Sequence, residues 1–401
     1  MTSNSPAPDL TPDPASDPLA AYGWDARWAA VFAPYAAEGL VPGRVARVDR
    51  GRCDIVVAAG AVGAPGTGGA ADVGTAGGAD GADGTVTVRA DTRPARTDGD
   101  PDAVVCTGDW AAVDLGAGTG PVVRALLPRR TRFLRSTSSA RSEGQVLAAN
   151  IDHAVVVVSL AVELDLGRLE RFLSLAWSSG SQPLVALTKT DLVPDSTHLV
   201  TDVEAAAPGA RVLPVSAVTG DGIDALAAEL AGGTAALLGQ SGVGKSTLVN
   251  ALLGAEVQAR GEVRGSDGKG RHTTTARELL PLPGGGLIVD TPGLRGVGLW
   301  EADNGLSQVF AEIEELAARC RFHDCEHHAE PGCAVLAAVA DGTLSHRRFE
   351  SYRKLLRESA WIASRTDARL RAELAREWRR REAAGREMYE RKRGGGHRKA
   401  F

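Results

Sequence analysis

Residues Gly239–Thr247 read GQSGVGKST, and this stretch restricts the fold more than any other in the chain. Gly, four residues, then Gly-Lys-Ser is the spacing of a loop that wraps nucleotide phosphates, and it needs a strand before it and a helix after it. Both neighbours are legible: Thr234 to Leu238 is apolar and rich in small residues, and LVNALLG from Leu248 has helical periodicity. Gly239, Gly242 and Gly244 allow backbone N–H groups to turn toward phosphate, and Gln240, Ser241, Val243 and Thr247 complete the cradle. Lys245 is placed to add charge at the β and γ oxygens, and the Ser246 hydroxyl to ligate Mg²⁺.

The surrounding sequence supplies the sheet that such a loop requires. From Ile151 the runs AVVVVS, PLVALTK, ARVLPVSA and TAALLG are uniformly apolar strands, with helical segments between them, as in a parallel sheet covered on both faces. After the loop's helix, GLIVDTPG places Asp290 at a strand end, where an aspartate holds Mg²⁺, and Gly293 where its N–H meets a γ-phosphate. Upstream, in RHTTTARE, Thr275 is the first choice and Thr274 the second for a hydroxyl that closes on Mg²⁺. Thr188-Lys189-Thr190-Asp191 resembles the guanine-specificity motif of GTPases, with Thr where Asn is usual. A carboxylate at Asp191 accepts two hydrogen bonds from guanine that adenine cannot donate, and the Lys189 stem covers the base. Ser216-Ala217 resembles the companion loop whose backbone N–H reaches the guanine carbonyl.

The order is reversed for an ordinary GTPase, because the base-recognition motifs come before the phosphate loop. A parallel sheet with neighbouring termini tolerates such a cut and rejoining. The consequence is that DTPG runs almost directly into the C-terminal part of the chain.

The flanks carry different signatures. Residues 1 to about 20 lack the apolar content to fold, and Trp24, Trp28 and Phe32 follow at helical spacing as a cap on a neighbouring core. GRVARVD, RCDIVVAA, TVTVRAD, AVVCTGDWAAVDL and GPVVRALLP are five short strands, which suggests a small closed barrel of the OB type. A Gly/Ala-rich insert at 60–84 reads as a loop, and the arginines of Pro128 to Arg141 as a basic linker. The net charge of −5 hides an asymmetry: His346 to Phe401 holds 18 Lys/Arg against 8 Asp/Glu, which leaves 27 against 42 before it. Such a basic end suits an anionic partner. No apolar run is long enough to span a bilayer and the N-terminus has no signal character, so a soluble, cytoplasmic protein is expected. Cys320, Cys325 and Cys333 cluster, which in a reducing compartment points to metal.

Together, the permuted order, GQSGVGKST, HTTT, DTPG, the upstream barrel and the cysteine/histidine cluster resemble the ribosome small subunit-dependent GTPase A family, over roughly Gly43 to Thr343. The resemblance implies an OB-fold, a circularly permuted P-loop α/β GTPase domain and an α-helical zinc-binding domain. It divides the chain into a disordered or helical extension at 1–38, a barrel at 39–135, a linker at 136–150, the GTPase domain at 151–302, and the zinc domain with its basic tail at 303–401. It also implies one structural Zn²⁺ on Cys320, Cys325, His327 and Cys333, whose C-x4-C-x-H-x5-C spacing matches the family's pattern, with His323 and His328 spare. The function implied is hydrolysis of Mg²⁺-bound GTP to GDP, stimulated by the small ribosomal subunit, by a monomer that contacts ribosomal RNA late in subunit maturation.

Leu294 and Arg295 stand where many GTPases place a water-orienting glutamine, so slow intrinsic hydrolysis is expected, completed by the ribosome or by His272. Two other readings remain open: a nucleotide-gated RNA-binding module in which turnover is incidental, and an ATPase with degenerate base recognition.

Overall fold

The structure, a computed structural model, describes residues 17–62, 84–95, 104–116, 120–135, 145–256, 277–290 and 303–366, together with 372, 376 and 379. It opens with a 3-10 turn at Pro18–Tyr22, capped by Asp17, and helix α1 (Ala26–Ala37), capped by Asp25, whose carboxylate accepts from Trp28 N at 2.8 Å. The aromatic stripe is structural: Trp24 meets Trp110 edge-on at 4.8 Å between ring centroids, and Trp28 and Phe32 are buried in the same cluster.

Strands β1 (Val41–Asp49), β2 (Arg52–Ala58), β3 (Thr85–Asp91), β4 (Trp110–Asp114) and β5 (Val122–Leu126) form the expected barrel. Neighbouring pairs are antiparallel except β3 with β5, and β1 closes the ring by pairing with both β2 and β4. Gly43 sits at that closure: a Cβ there would lie 2.4 Å from Ile55 Cγ2. The fourth strand is shorter than its apolar run suggests. Thr107-Gly108-Asp109 turn out of line, with the Asp109 carboxylate buried against Arg129 and the Cys106 N–H.

The basic segment after the barrel carries more structure than a linker. Strand β6 (Arg132–Arg135) pairs antiparallel with β7 (Gln145–Ala149), burying Phe133 and Leu147. The chain then enters the α/β unit through β8 (His153–Ser159), α2 (Leu166–Ser178), β9 (Gln182–Thr188), α3 (Thr197–Ala206), β10 (Arg211–Pro214), α4 (Ile223–Leu230), β11 (Thr234–Leu238) and α5 (Lys245–Leu253). Strands β12 (Glu278–Pro281) and β13 (Leu287–Asp290) complete the sheet, in the order β10-β9-β8-β11-β13-β12. All neighbours are parallel except β12 with β13, and β12 also pairs with β1 of the barrel at Arg47 and Glu278, so one sheet runs through both units.

Alternation along β8 sorts the two faces. Val155 and Val157 pack toward α4 and α5, whereas Ala154 and Val156 pack toward α2 and α3. Helices α6 (Asp303–Val309), α7 (Ala311–Ala317), α8 (Ala334–Asp341) and α9 (His346–Thr366) extend the second face, contributing Phe310, Ile313, Phe349 and Tyr352 to the same core. Helix α6 lies against α2 closely enough that a Cβ on Gly305 would fall 2.0 Å from the Ser174 carbonyl oxygen. Among the described residues no helix is long and apolar enough to cross a membrane.

Candidate nucleotide site and metal centre

Strand β11 is wholly buried between β8 and β13 and delivers the chain to the phosphate loop at the carboxyl edge of the sheet. Gly239, Gly242 and Gly244 have φ of 150°, 81° and 102°, the left-handed half of backbone space that side chains resist. At Gly239 a Cβ would also meet the Val157 carbonyl oxygen at 2.6 Å. Gly244 caps α5, and Lys245, Ser246 and Thr247 open its first turn, half-buried. The Lys245 ammonium donates to the carbonyls of Gly239 at 2.8 Å and Gln240 at 2.5 Å, which draws the two ends of the loop together.

Thr188 to Asp191 and Ser216-Ala217 come to the edge that holds this loop because β9 and β10 run parallel to each other and end there. Buried Thr188, the last residue of β9, donates its hydroxyl to the Val243 carbonyl at 2.6 Å. Lys189 takes a left-handed conformation, φ 62°, and its ammonium donates to the Gly242 carbonyl at 2.9 Å. Asp191 is exposed, and its Oδ1 accepts from the buried Ser216 hydroxyl at 2.7 Å, so the loops that follow β9 and β10 are bonded to each other. The Ser216 hydroxyl in turn accepts from the N–H groups of Val218 and Thr219, which shapes the turn that presents half-buried Ala217.

Asp290 ends β13 one residue beyond the Ala236–Val289 pair and opposite Glu278. Thr274, Thr275, His272, Gly293, Leu294 and Arg295 lie outside the described residues.

The second site lies between α7 and α8. The ligand atoms of Cys320, Cys325, His327 and Cys333 all fall within 4.8 Å of one another. Cys320 Sγ is 3.8 Å from Cys333 Sγ and 3.7 Å from His327 Nδ1, and His327 Nδ1 is 3.3 Å from Cys333 Sγ. A tetrahedron with metal–sulfur bonds of about 2.3 Å and a metal–nitrogen bond of about 2.0 Å has edges of about 3.5 to 3.8 Å, so the donor set fits zinc. Burial pushes the His327 imidazole below its ordinary value, which favours the neutral, ligating form. His327 turns inward through a left-handed backbone, φ 55°, and Leu336 N donates to Cys333 Sγ at 3.4 Å where α8 begins. His323 and His328 are exposed, and His328 lies 3.4 Å from the Glu326 carboxylate, outside the cluster.

The model of the RsgA GTPase family matches residues 126–300. The small ribosomal subunit biogenesis GTPase RsgA of Streptomyces coelicolor is 61% identical over 380 residues, covering 94% of this chain and 96% of that protein. The chain belongs to the RsgA GTPase family. The RsgA of Streptomyces avermitilis is 60% identical over 383 residues, covering 95% of this chain and 96% of that protein. Among solved structures, YjeQ from Thermotoga maritima superposes with a TM-score of 0.55 at 24% identity, covering 80% of this chain and 98% of its own. YloQ, a circularly permuted GTPase, gives 0.55 at 21%, covering 82% and 96%. Those two likenesses concern the fold, in which β8, β9 and β10 come before the strand that leads into the Gly239–Thr247 loop. As an RsgA GTPase the chain hydrolyses GTP.

Two features of this RsgA-family chain escaped sequence reasoning. The bond from Thr188 to Val243 was foreshadowed only by Thr standing where Asn is usual. The other is a buried ionic joint: Glu170 of α2, fully buried, accepts from Arg347 at 3.0 Å and Arg348 at 2.8 Å, and from Ser351, all on α9. Part of the basic C-terminal run is thus spent inside the molecule, since Arg348 is buried and also bonds Glu312 at 2.7 Å. No motif announces a pairing across that sequence distance.

Proposed function

We propose that this GTPase acts in biogenesis of the small ribosomal subunit, that the subunit stimulates its hydrolysis, and that hydrolysis times its release. The observation carrying the reading is the contact of Thr188 and Lys189 with the Gly239–Thr247 loop, beside the bonded pair of Asp191 and Ser216, in a chain 61% identical to a small ribosomal subunit biogenesis GTPase.

In this reading Asp191 and the Ser216-Ala217 loop recognise guanine, and the Lys189 stem covers its face. The loop N–H groups and Lys245 hold the β and γ phosphates, Ser246 and Asp290 hold Mg²⁺, and Thr275 and the Gly293 N–H sense the γ-phosphate. Electrostatic stabilisation by Lys245 and the loop N–H groups is the chain's own contribution to breaking the phosphoanhydride bond. With Leu294 in the water-orienting place, a group from the subunit completes the site.

Cys320, Cys325, His327 and Cys333 hold one Zn²⁺, which is structural because all four positions are protein ligands. The barrel at 39–135, the GTPase domain at 151–302 and the zinc domain with its tail at 303–401 divide the work. GTP orders the switches, and the zinc domain, reached directly from DTPG, takes its RNA-binding pose in response. The protein works as a cytoplasmic monomer that contacts ribosomal RNA through its basic C-terminal end.

The test is phosphate release from GTP and from ATP, with and without purified small ribosomal subunits, for the wild type and Lys245→Ala. GTP-selective turnover that rises with subunits and vanishes in the variant is the expected result. Tight nucleotide-dependent subunit binding without stimulation favours a nucleotide-gated RNA-binding module instead.

A further inference from the structure

Helix α9 has two faces, and its cations divide between them. Arg348, Phe349, Tyr352, Leu355, Ser359 and Ile362 are buried against the rest of the fold. Three of its arginines already have acidic partners: Arg347 and Arg348 bond Glu170, and Arg353 lies 3.7 Å from Glu350 with its guanidinium 5.6 Å from the Phe349 ring. Lys354 and Arg357 differ. Both are exposed and neither has an acidic partner among the described residues; the Arg357 Nε donates to the Arg353 carbonyl within the helix itself.

Those two cations share a stripe with Trp361. At about 3.6 residues to the turn, Lys354, Arg357 and Trp361 fall within about 60° of one another around the axis. Arg357 stands about 6 Å from Trp361 along the helix, and Lys354 about 10 Å. Trp361 is 58% exposed, whereas Trp24, Trp28 and Trp110 are buried and Trp177 is half-buried.

A lone exposed apolar side chain signifies little, but its surroundings here select a class of partner. Leu356, the other exposed large apolar side chain of the helix, lies about 140° around the axis from Trp361, so the two form no joint patch of the kind a protein partner buries. Tyr352, Leu355 and Ile362 are taken up in the core, which leaves the helix no apolar face to lay into a bilayer. A flat ring beside unpaired cations suits single-stranded nucleic acid, in which a base stacks on the ring while the cations neutralise neighbouring phosphates.

We propose that Trp361 is a stacking platform for an unpaired nucleotide, with Lys354 and Arg357 on the adjoining phosphates, and that α9 meets RNA through this stripe while its Glu170-bonded arginines hold the fold. The inference rests on the RNA contact proposed above for the C-terminal end. It gives that contact a chemistry: single strand in preference to duplex, with little dependence on base identity.

The probe is a short, fluorescently labelled RNA of mixed sequence, single-stranded or annealed to its complement, titrated with the full chain across a salt series. Melting curves accompany each variant. Trp361→Ala is expected to weaken the single strand roughly tenfold and the duplex less than about twofold. The slope of log affinity against log salt should not change, because an indole neutralises no phosphate. Trp361→Phe keeps a ring and should recover most of the loss. The double variant Lys354→Gln/Arg357→Gln should instead flatten the slope by about 1.4, two phosphates at about 0.7 each for a single strand.

Unchanged single-strand affinity in folded Trp361→Ala, equal losses for single strand and duplex, or no recovery in Trp361→Phe each overturns the proposal. So does a wild type that binds small ribosomal subunits but no single strand, or one whose Trp361-dependent binding is to vesicles of anionic phospholipid in place of RNA. A wild type that binds neither RNA nor subunits overturns the RNA contact itself. That case is distinguishable because the wild type is measured first.

Discussion

Replacing Glu170 by Gln should loosen the C-terminal helices from the GTPase unit. The Glu170 carboxylate is fully buried and accepts from Arg347, Arg348 and Ser351. Glutamine keeps the volume but removes the charge and turns one acceptor into a donor aimed at guanidinium groups. Arg347 is 46% exposed in its side chain and can turn to water, whereas Arg348, at 8%, cannot. Arg348 keeps Glu312 as a counter-ion, but that carboxylate is itself 44% exposed and weaker for it. Removing one member of a buried pair costs about 3 to 5 kcal/mol, because the other charge stays desolvated. For a cooperative unit of a few hundred residues that is roughly 6 to 15 °C in melting temperature.

The assay is thermal unfolding of wild type, Glu170→Gln, Arg348→Met and the double variant Glu170→Gln/Arg348→Met. The double variant removes both charges and should recover at least about 2 kcal/mol of the summed single losses. Recovery is partial, since the Val309 and Ala206 carbonyls lose the donors that Arg348 supplies. A melting temperature for Glu170→Gln within a degree of wild type refutes the reasoning, as does strict additivity in the double variant.

Asp191→Asn should shift preference from guanine to xanthine nucleotides, and unchanged selectivity in competition binding removes that residue from base recognition. Treating the protein with a strong chelator under reducing conditions, or substituting Cys333→Ala, should release one equivalent of zinc in a metal-sensitive dye assay and lower the melting temperature; release of none sinks the metal centre. Phe32→Ala, which opens the aromatic cluster of α1 on the barrel, should cost about 3 to 5 kcal/mol in denaturant titration, and a loss below about 1 kcal/mol contradicts the packing. The Arg130 guanidinium holds the Asp25 carboxyl below its ordinary value of 3.8. That contribution is present above the ordinary value and lost as pH falls through the lowered one, so the stability gap between wild type and Asp25→Asn should be flat from pH 7 to 5 and begin to close below about pH 4; a gap that widens as pH falls below that point contradicts the sign.

What the sequence determined by itself was the local chemistry. A Gly-rich loop between an apolar strand and a helix needs left-handed backbone at fixed positions, and Gly239, Gly242 and Gly244 advertise that need directly. Three cysteines and a histidine within fourteen residues announce a metal-binding set, because thiolates and an imidazole at that spacing can close on one ion without a ligand from distant chain. The five barrel strands were legible from their apolar runs and the turns between them. Other features depend on which distant surfaces meet. The strand pair β6 and β7 hides in a run whose arginines suggest a linker, since Phe133 and Leu147 find their cover only in the assembled core. The pairing of β12 with β1, which joins barrel to GTPase sheet, rests on backbone hydrogen bonds that any sequence can make. Glu170 and Arg348 lie 178 residues apart, and a charged residue in a helical run looks the same whether water or a buried partner awaits it. Thr188 is the sharpest case: its identity marked a departure from a motif, but only the fold, by laying β9 beside the phosphate loop, decided what its hydroxyl holds.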